Sequence, residues 1–278
     1  MNKNLTQVAL SLLALTLIAG CQGTNPGAQV ELTNETGIVG GEPIAKNSSL
    51  IKHAVGLLIL RKDESQTTCS AVIIRKDLIL TARHCLTNAK LVYVMFTNDM
   101  HSKDYYYLNS TTFISYEKNP DTGKDADLAL IKVRGDLAPG YEPINMPTET
   151  IRAKPGLDII HIGFGQSKSI ANSPTDEKGW GILRTVKQKV LYMYDIMEKN
   201  SQSFVVDQSN LKGICYGDSG GPAYTVSNGK YYLVGINEGT LAGYNKDPND
   251  TDTCHGRSLL VDVFATKKWI LDNAAKLQ

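Results

Sequence analysis

Apolar residues in this chain gather in short runs, and turn-prone Gly, Pro, Asn and Asp separate most of them. Strand-like runs fall at 53–60, 69–75, 77–82, 91–96, 105–114, 127–133, 157–165, 186–193, 203–207, 221–226, 230–237 and 257–263. Their length and spacing predict an all-β protein built as a barrel or sandwich. Helical periodicity is convincing once, over about 264–276, where Phe264, Trp269, Ile270, Ala274 and Leu277 fall near one face. Between 134 and 156 the pattern lapses into Pro139, Gly140, Pro143, Pro147, Pro155 and Gly156, which suits a linker between two barrels. No internal repeat is visible.

One apolar run is of another kind. Leu5 to Leu17 follows the basic Lys3 and leads into Ile18-Ala19-Gly20-Cys21. It is too short to span a bilayer and reads as an export segment with a small-residue cleavage site. Leu17 to Cys21 resembles a bacterial lipobox, which implies cleavage before Cys21 and a lipid on its sulfur. An ordinary secretory signal with a stray cysteine is the competing reading. Residues 22–37 are polar and glycine-containing, a flexible tether.

The 278 residues suffice for one or two domains with substantial cores. Lys and Arg total 29 against 28 Asp and Glu, so charge makes no case for nucleic acid or an acidic partner. Five cysteines in an exported chain leave one unpaired, and lipid on Cys21 would remove the odd one. His84-Cys85 and Cys254-His255 are neighbours without C-x-x-C or H-x-x-x-H spacing, which argues against zinc.

The chemistry concentrates in Gly217-Asp218-Ser219-Gly220-Gly221-Pro222. Glycines around a serine let the backbone approach a substrate and free N–H groups for a developing oxyanion. The run also fits the G-x-S-x-G elbow of the α/β-hydrolases. That fold needs a helix straight after the serine, whereas Pro222 followed by Ala223-Tyr224-Thr225-Val226 reads as strand. Upstream, His84 follows the apolar end of a strand in Thr81-Ala82-Arg83-His84-Cys85, and Asp127 opens the run Leu128 to Val133. Asp125 is the runner-up acid, with Asp121 behind it. His53 and His161 sit inside apolar runs as core residues, and His101 and His255 lie in polar loops.

The order His84, Asp127, Ser219, together with Ile38-Val39-Gly40-Gly41, Gly163-Phe164-Gly165, Cys215 to Pro222 and Trp269-Ile270, resembles the trypsin/chymotrypsin family of serine proteases over roughly residues 38–270. The resemblance implies two six-stranded antiparallel β-barrels and a C-terminal helix. It divides the chain into a signal peptide at 1–20, a tether or propeptide at 21–37 and a protease domain at 38–278. Within that domain the barrels would span about 38–140 and 150–263, with the terminal helix at about 264–276.

It further implies a triad of His84, Asp127 and Ser219, and an oxyanion hole from the N–H groups of Gly217 and Ser219. Bridges would join Cys69 to Cys85 and Cys215 to Cys254. Ile38, freed by proteolysis, would latch onto Asp218. The substrate pocket would involve Gly213, Ile214, Glu238 and Gly239, with Glu238 available to a basic side chain, Arg257 to an acidic one, and a medium apolar side chain equally open. The substrate is then a protein or peptide and the enzyme a monomer without cofactor or metal. It would be exported, held at the outer membrane through Cys21 or released to the periplasm or medium. A catalytically silent binding protein of the same shape and a serine esterase are the competing functions.

Four departures from the family pattern stand out. Arg83 occupies the usual alanine position, Gly37 replaces the basic residue before the activation site, and Gly213 leaves the pocket base without a carboxylate. Asn237-Glu238-Gly239 lacks the tryptophan of the substrate-pairing strand. Asp247, Asn249, Asp250 and Asp252 in the long loop before Cys254 make no full calcium pattern and read as a solvated acidic loop.

Overall fold

The computed structural model describes residues 38–118, 123–167, 179–194, 202–210, 212–241, 254 and 256–277. The lipobox and Cys21, the tether, Asp121, His255 and the acidic loop residues therefore lie outside the described residues.

The strands are, in chain order, β1 (Glu42–Pro43), β2 (Ala54–Arg61), β3 (Gln66–Arg75), β4 (Leu78–Thr81), β5 (Ala89–Phe96), β6 (Tyr106–Ser110), β7 (Thr112–Ser115), β8 (Ala129–Lys132), β9 (Asp158–Gly163), β10 (Arg184–Met193), β11 (Ser203–Asp207), β12 (Pro222–Ser227), β13 (Lys230–Leu241) and β14 (Arg257–Asp262). They form two antiparallel sheets, each closed on itself. In the first the order is β6-β5-β2-β3-β4-β8-β7. β6 and β7 are one segment bent at Thr111, where the Ser110 hydroxyl donates to the Thr112 carbonyl at 3.1 Å and accepts from the Thr112 N–H at 3.0 Å. The run predicted at 105–114 is thus a single barrel stave that pairs with β5 through one half and β8 through the other. The second sheet runs β1-β10-β11-β14-β13-β12-β9 and closes through β9 pairing with β10. Without the two-residue β1, each barrel has six staves, as expected.

Two-residue periodicity decides which core each side chain enters. Along β2, Val55, Leu57 and Ile59 fill the first barrel together with Ile73, Val92 and Val94. β4 is buried on both faces: Ile79 points into the barrel, and Leu78 and Leu80 join the cluster between the barrels. That cluster also takes Leu128 and Leu130 from the first barrel, and Ile162, Tyr224, Ile236 and Val261 from the second. Phe204, Val206, Val234 and Leu260 fill the second barrel's interior. The inter-barrel layer fixes one barrel against the other at the level where His84 and Ser219 emerge.

The helix α1 (Val263–Lys276) closes the fold. Asp262 caps it by accepting the N–H groups of Phe264 at 2.8 Å and Ala265 at 3.3 Å. At the other end the Arg75 guanidinium from β3 donates to the carbonyls of Ala274 and Leu277, where a cation suits the negative end of the helix dipole. Ile270 and Leu277 enter the inter-barrel core, and Trp269 packs against Tyr116 at a ring separation of 5.1 Å.

Candidate active site

His84 sits on a short 3-10 turn, Arg83–Leu86, immediately after β4. Asp127 precedes Leu128, which the inter-barrel core anchors. The two are joined twice: the His84 main-chain N–H donates to Asp127 Oδ1 at 2.8 Å, and His84 Nδ1 lies 2.5 Å from Asp127 Oδ2. The carboxylate is largely buried (11 % exposed) and the imidazole half exposed (47 %), with its Nε2 3.9 Å from the Cys85 sulfur. Burial is the largest influence on His84 and favours the neutral ring. The Asp127 hydrogen bond and the charges of Asp127 and Glu238 outweigh it, and the pKa is raised despite the opposing Arg83.

The described rivals are engaged elsewhere. Asp125 pairs with Arg83, at 2.7 Å from Nη1. His53 Nδ1 contacts the Glu142 carbonyl, and His101 Nε2 contacts the Trp180 carbonyl, both at 2.8 Å. His161 is fully buried against Asn237, and burial pushes its pKa down to about 4. Among the described residues, His84 alone of the histidines is ion-paired with a carboxylate.

The loop that carries Ser219, Cys215 to Gly221, hangs from backbone bonds. The Ser219 carbonyl accepts from Ser70 N at 2.8 Å, Gly220 N donates to the Asn237 carbonyl at 2.7 Å, and Gly221 N donates to the Asp218 carbonyl at 2.9 Å. Ser70, a residue the sequence reading did not single out, uses its hydroxyl as a second clamp. It donates to the Gly217 carbonyl and accepts from Phe164 N, both at 2.9 Å. Its only sequence signal is its position next to Cys69.

Gly220 has φ +80°, and a Cβ there would lie 2.0 Å from Thr81 Oγ1 and 2.4 Å from the Ser70 carbonyl. Gly220→Ala is expected to cost at least ~2 kcal/mol, from left-handed strain plus the clash. Chemical denaturation reads that loss directly, and unchanged stability would show the loop to be looser than described.

Disulfides join Cys69 to Cys85 and Cys215 to Cys254. The first backs the imidazole, and its sulfurs are covalently occupied, so Cys69, His84 and Cys85 do not make a metal centre. The second ties the Ser219 loop to the segment before β14. Between the first bridge and the loop opens a cleft of about 510 Å³, shared by His84, Ser219, Gly217, Tyr216, Gln166 and Trp180. Tyr216, 58 % exposed and inside the Cys215 to Pro222 run, lines it together with Trp180, which no motif marked.

Asp218 is fully buried beneath the loop. Its carboxylate accepts N–H groups from Gly165 and Cys215, each at 2.8 Å. Burial nevertheless pushes its pKa up to about 7, against those two bonds and the charge of Arg184. Ile38 is fully buried as well, with φ +50°, and the neighbouring Val39 accepts Gly213 N at 3.0 Å and packs on the Cys215–Cys254 bridge.

At Gly213 a Cβ would strike the Gln208 side chain at 2.0 Å. Gln208 is fully buried: its oxygen accepts Ile214 N at 2.7 Å and the Ser258 hydroxyl, and its amide donates to the carbonyls of Ile214 and Cys254. Arg257 lies over the Tyr192 ring and donates to its hydroxyl at 3.2 Å. Glu238, on β13, accepts from the Ser203 hydroxyl at 3.2 Å and interacts electrostatically with Asp127, His84 and Arg83.

Residues 38–270 match the trypsin family profile. A collagenase of Hypoderma lineatum is 26 % identical over 242 residues, covering 82 % of this chain and 85 % of the relative. Duodenase-1 of Bos taurus is 26 % identical over 217 residues, covering 75 % and 84 %. Chymotrypsin of Phaedon cochleariae is 22 % identical over 243 residues, covering 77 % and 82 %. The solved structure titled HL collagenase superposes with a TM-score of 0.66 at 25 % identity, over 86 % of this chain and 99 % of that one. Sequence motifs, barrel closure and profile agree: the chain belongs to the trypsin family and is a serine-type endopeptidase.

Proposed function

We propose that His84, Asp127 and Ser219 form a catalytic triad that hydrolyses peptide bonds through an acyl-enzyme. The observation that carries this reading is the doubly bonded His84–Asp127 pair, opening onto the cleft that holds Ser219. His84 takes the proton of the Ser219 hydroxyl as its oxygen attacks the scissile carbonyl carbon. The N–H groups of Gly217 and Ser219 receive the oxyanion. As the tetrahedral species collapses, the C–N bond breaks and His84 gives its proton to the leaving amine. Water then attacks the ester with His84 again as base, which frees the acid product and restores Ser219. Asp127 holds the tautomer with its proton on Nδ1 and stabilises the imidazolium.

Gly213 and Ile214 place no charge at the primary pocket, and Gln208 closes the space beneath Gly213 with neutral polar groups. We therefore read the preferred side chain there as uncharged. Two disulfides fit an exported protein. Lipid on Cys21, with later cleavage before Ile38 releasing the domain, is our reading of the N-terminal segment.

A fluorophosphonate probe followed by peptide mapping tests the assignment. Label on Ser219, abolished in His84→Ala, is the expected result, and labelling elsewhere or none after cleavage before Ile38 overturns it. A peptide library on the labelled enzyme's active counterpart then separates protease from esterase and reads the pocket.

A further inference from the structure

Two residues that depart from the family pattern act electrostatically on the same carboxylate. Arg83, in place of the usual alanine, donates to Asp125 at 2.7 and 3.3 Å and to the Tyr116 carbonyl at 3.0 Å. So held, its Nε lies 4.0 Å from Asp127 Oδ1. Glu238 approaches from the second barrel. Asn237, its neighbour, accepts Gly220 N from the nucleophile loop, and a bulge between Asn237 and Gly239 breaks the register of β13 against β14 there. The start of β11 and the residue before it contribute on both sides: Ser203 donates to Glu238, while Gln202 donates at 2.7 Å to the Tyr116 hydroxyl, whose own backbone carbonyl takes Arg83. A cation and an acid, each fixed by its own hydrogen bonds, thus act on Asp127 together.

We propose that Glu238 and Arg83 are positioning residues of opposite charge that act on the His84–Asp127 pair and set the pH at which the enzyme switches on. The inference rests on the triad reading above. The charged and titratable groups facing Glu238 are Asp127, His84 and Arg83, with the neutral Ser203 as its hydrogen-bond donor. Those facing Arg83 are Asp125, Asp127 and Glu238. An ionised Glu238 stabilises the imidazolium of His84 and repels Asp127, whereas Arg83 opposes the imidazolium and stabilises Asp127. Burial, the largest influence, holds the Glu238 carboxyl up to about 7, so its charge changes where a catalytic imidazole also titrates. The two groups then share their titration. Gaining the Glu238 charge makes His84 harder to deprotonate and displaces the acid limb of the rate profile to higher pH.

The test is the titration of the His84 Cε1–H by NMR in the full-length chain, assigned by its loss in His84→Gln. It needs neither substrate nor activation. In Glu238→Gln the midpoint is expected to fall and the curve to sharpen toward a single titration. In Arg83→Ala the midpoint is expected to rise. An unmoved or raised midpoint in Glu238→Gln overturns the proposal. Glu238→Ser, which also removes the charge, replaces that variant if it fails to fold. In parallel, the pH dependence of Ser219 labelling by a fluorophosphonate should shift the same way in each variant. A merely structural role would slow labelling by one factor at every pH and leave the midpoint in place. If wild type, cut before Ile38, takes no label at any pH, the triad reading fails, while the NMR midpoints still decide the charge effect.

Discussion

Ser219→Ala is expected to lower kcat by on the order of 10⁶, and the double variant with His84→Ala to be no worse than either single one. The hydroxyl and the imidazole have no separate use: without the base the alcohol is a poor nucleophile, and without the nucleophile the base has no proton to take. Asp127→Asn should cost about 10⁴, because an amide at Nδ1 selects the wrong tautomer while the geometry survives. What remains in the two Ser219 variants, about 10³–10⁴ over water, belongs to the oxyanion hole and substrate binding, and Asp127→Asn should keep about 10²-fold more. Stability of Ser219→Ala should match wild type, since the loop is held by the backbone of residues 217–221 and not by the Ser219 hydroxyl. Steady-state kinetics on a cleaved peptide, with thermal melts alongside, checks both halves. Wild-type turnover in Ser219→Ala would remove Ser219 from the mechanism.

Much of this fold is legible because barrel staves are local: a strand buried on one or both faces announces itself in six to ten residues. All twelve apolar runs correspond to staves. β1 escaped because Glu42–Pro43 carries no alternation, and its pairing with Arg184 and Thr185 is visible only in three dimensions. The bend that splits the 105–114 run depends on a Ser110 hydroxyl contact, equally invisible to periodicity. In the site, His84 and Asp127 could be picked out by their places at strand boundaries. Arg83 could be noticed as a departure, but its pairing with Asp125, 42 residues away, is a tertiary contact. Glu238 shows the limit best. The sequence reading set it along the substrate strand, and its interaction with Asp127 and His84 depends on a bulge and on the packing of β11. Gln208 beneath Gly213 is likewise a tertiary fact with no motif behind it.

Cleavage before Ile38 is expected to raise kcat/KM by about 10²–10³, the scale of one oxyanion-hole donor gained or lost. The cause lies in Asp218. It is fully buried with two N–H donors, and burial raises its pKa from 3.8 to about 7. The carboxyl is therefore more easily protonated in the fold than in the unfolded chain. Its contribution to stability is complete below pH ~4 and is lost as pH rises through about 7, a change of about 4 kcal/mol for the uncut chain. A free Ile38 ammonium would add a second opposite charge to that of Arg184, and a buried pair of this kind holds only with both partners present. Once it forms, the loss between pH 4 and 7 should largely vanish, and the loop bearing Gly217 and Ser219 should stiffen. Asp218→Asn should flatten the same loss in the uncut chain and leave the cut chain at the uncut level of activity. Denaturant unfolding at pH 5 and 8 on cut, uncut and Asp218→Asn proteins, with peptide hydrolysis on the same samples, separates these outcomes. A fully active cut Asp218→Asn enzyme, or equal pH dependence in the cut and uncut chains, would rule out the latch. Gly37 directs the search for the activating enzyme, because a protease that cuts after basic residues has no site there.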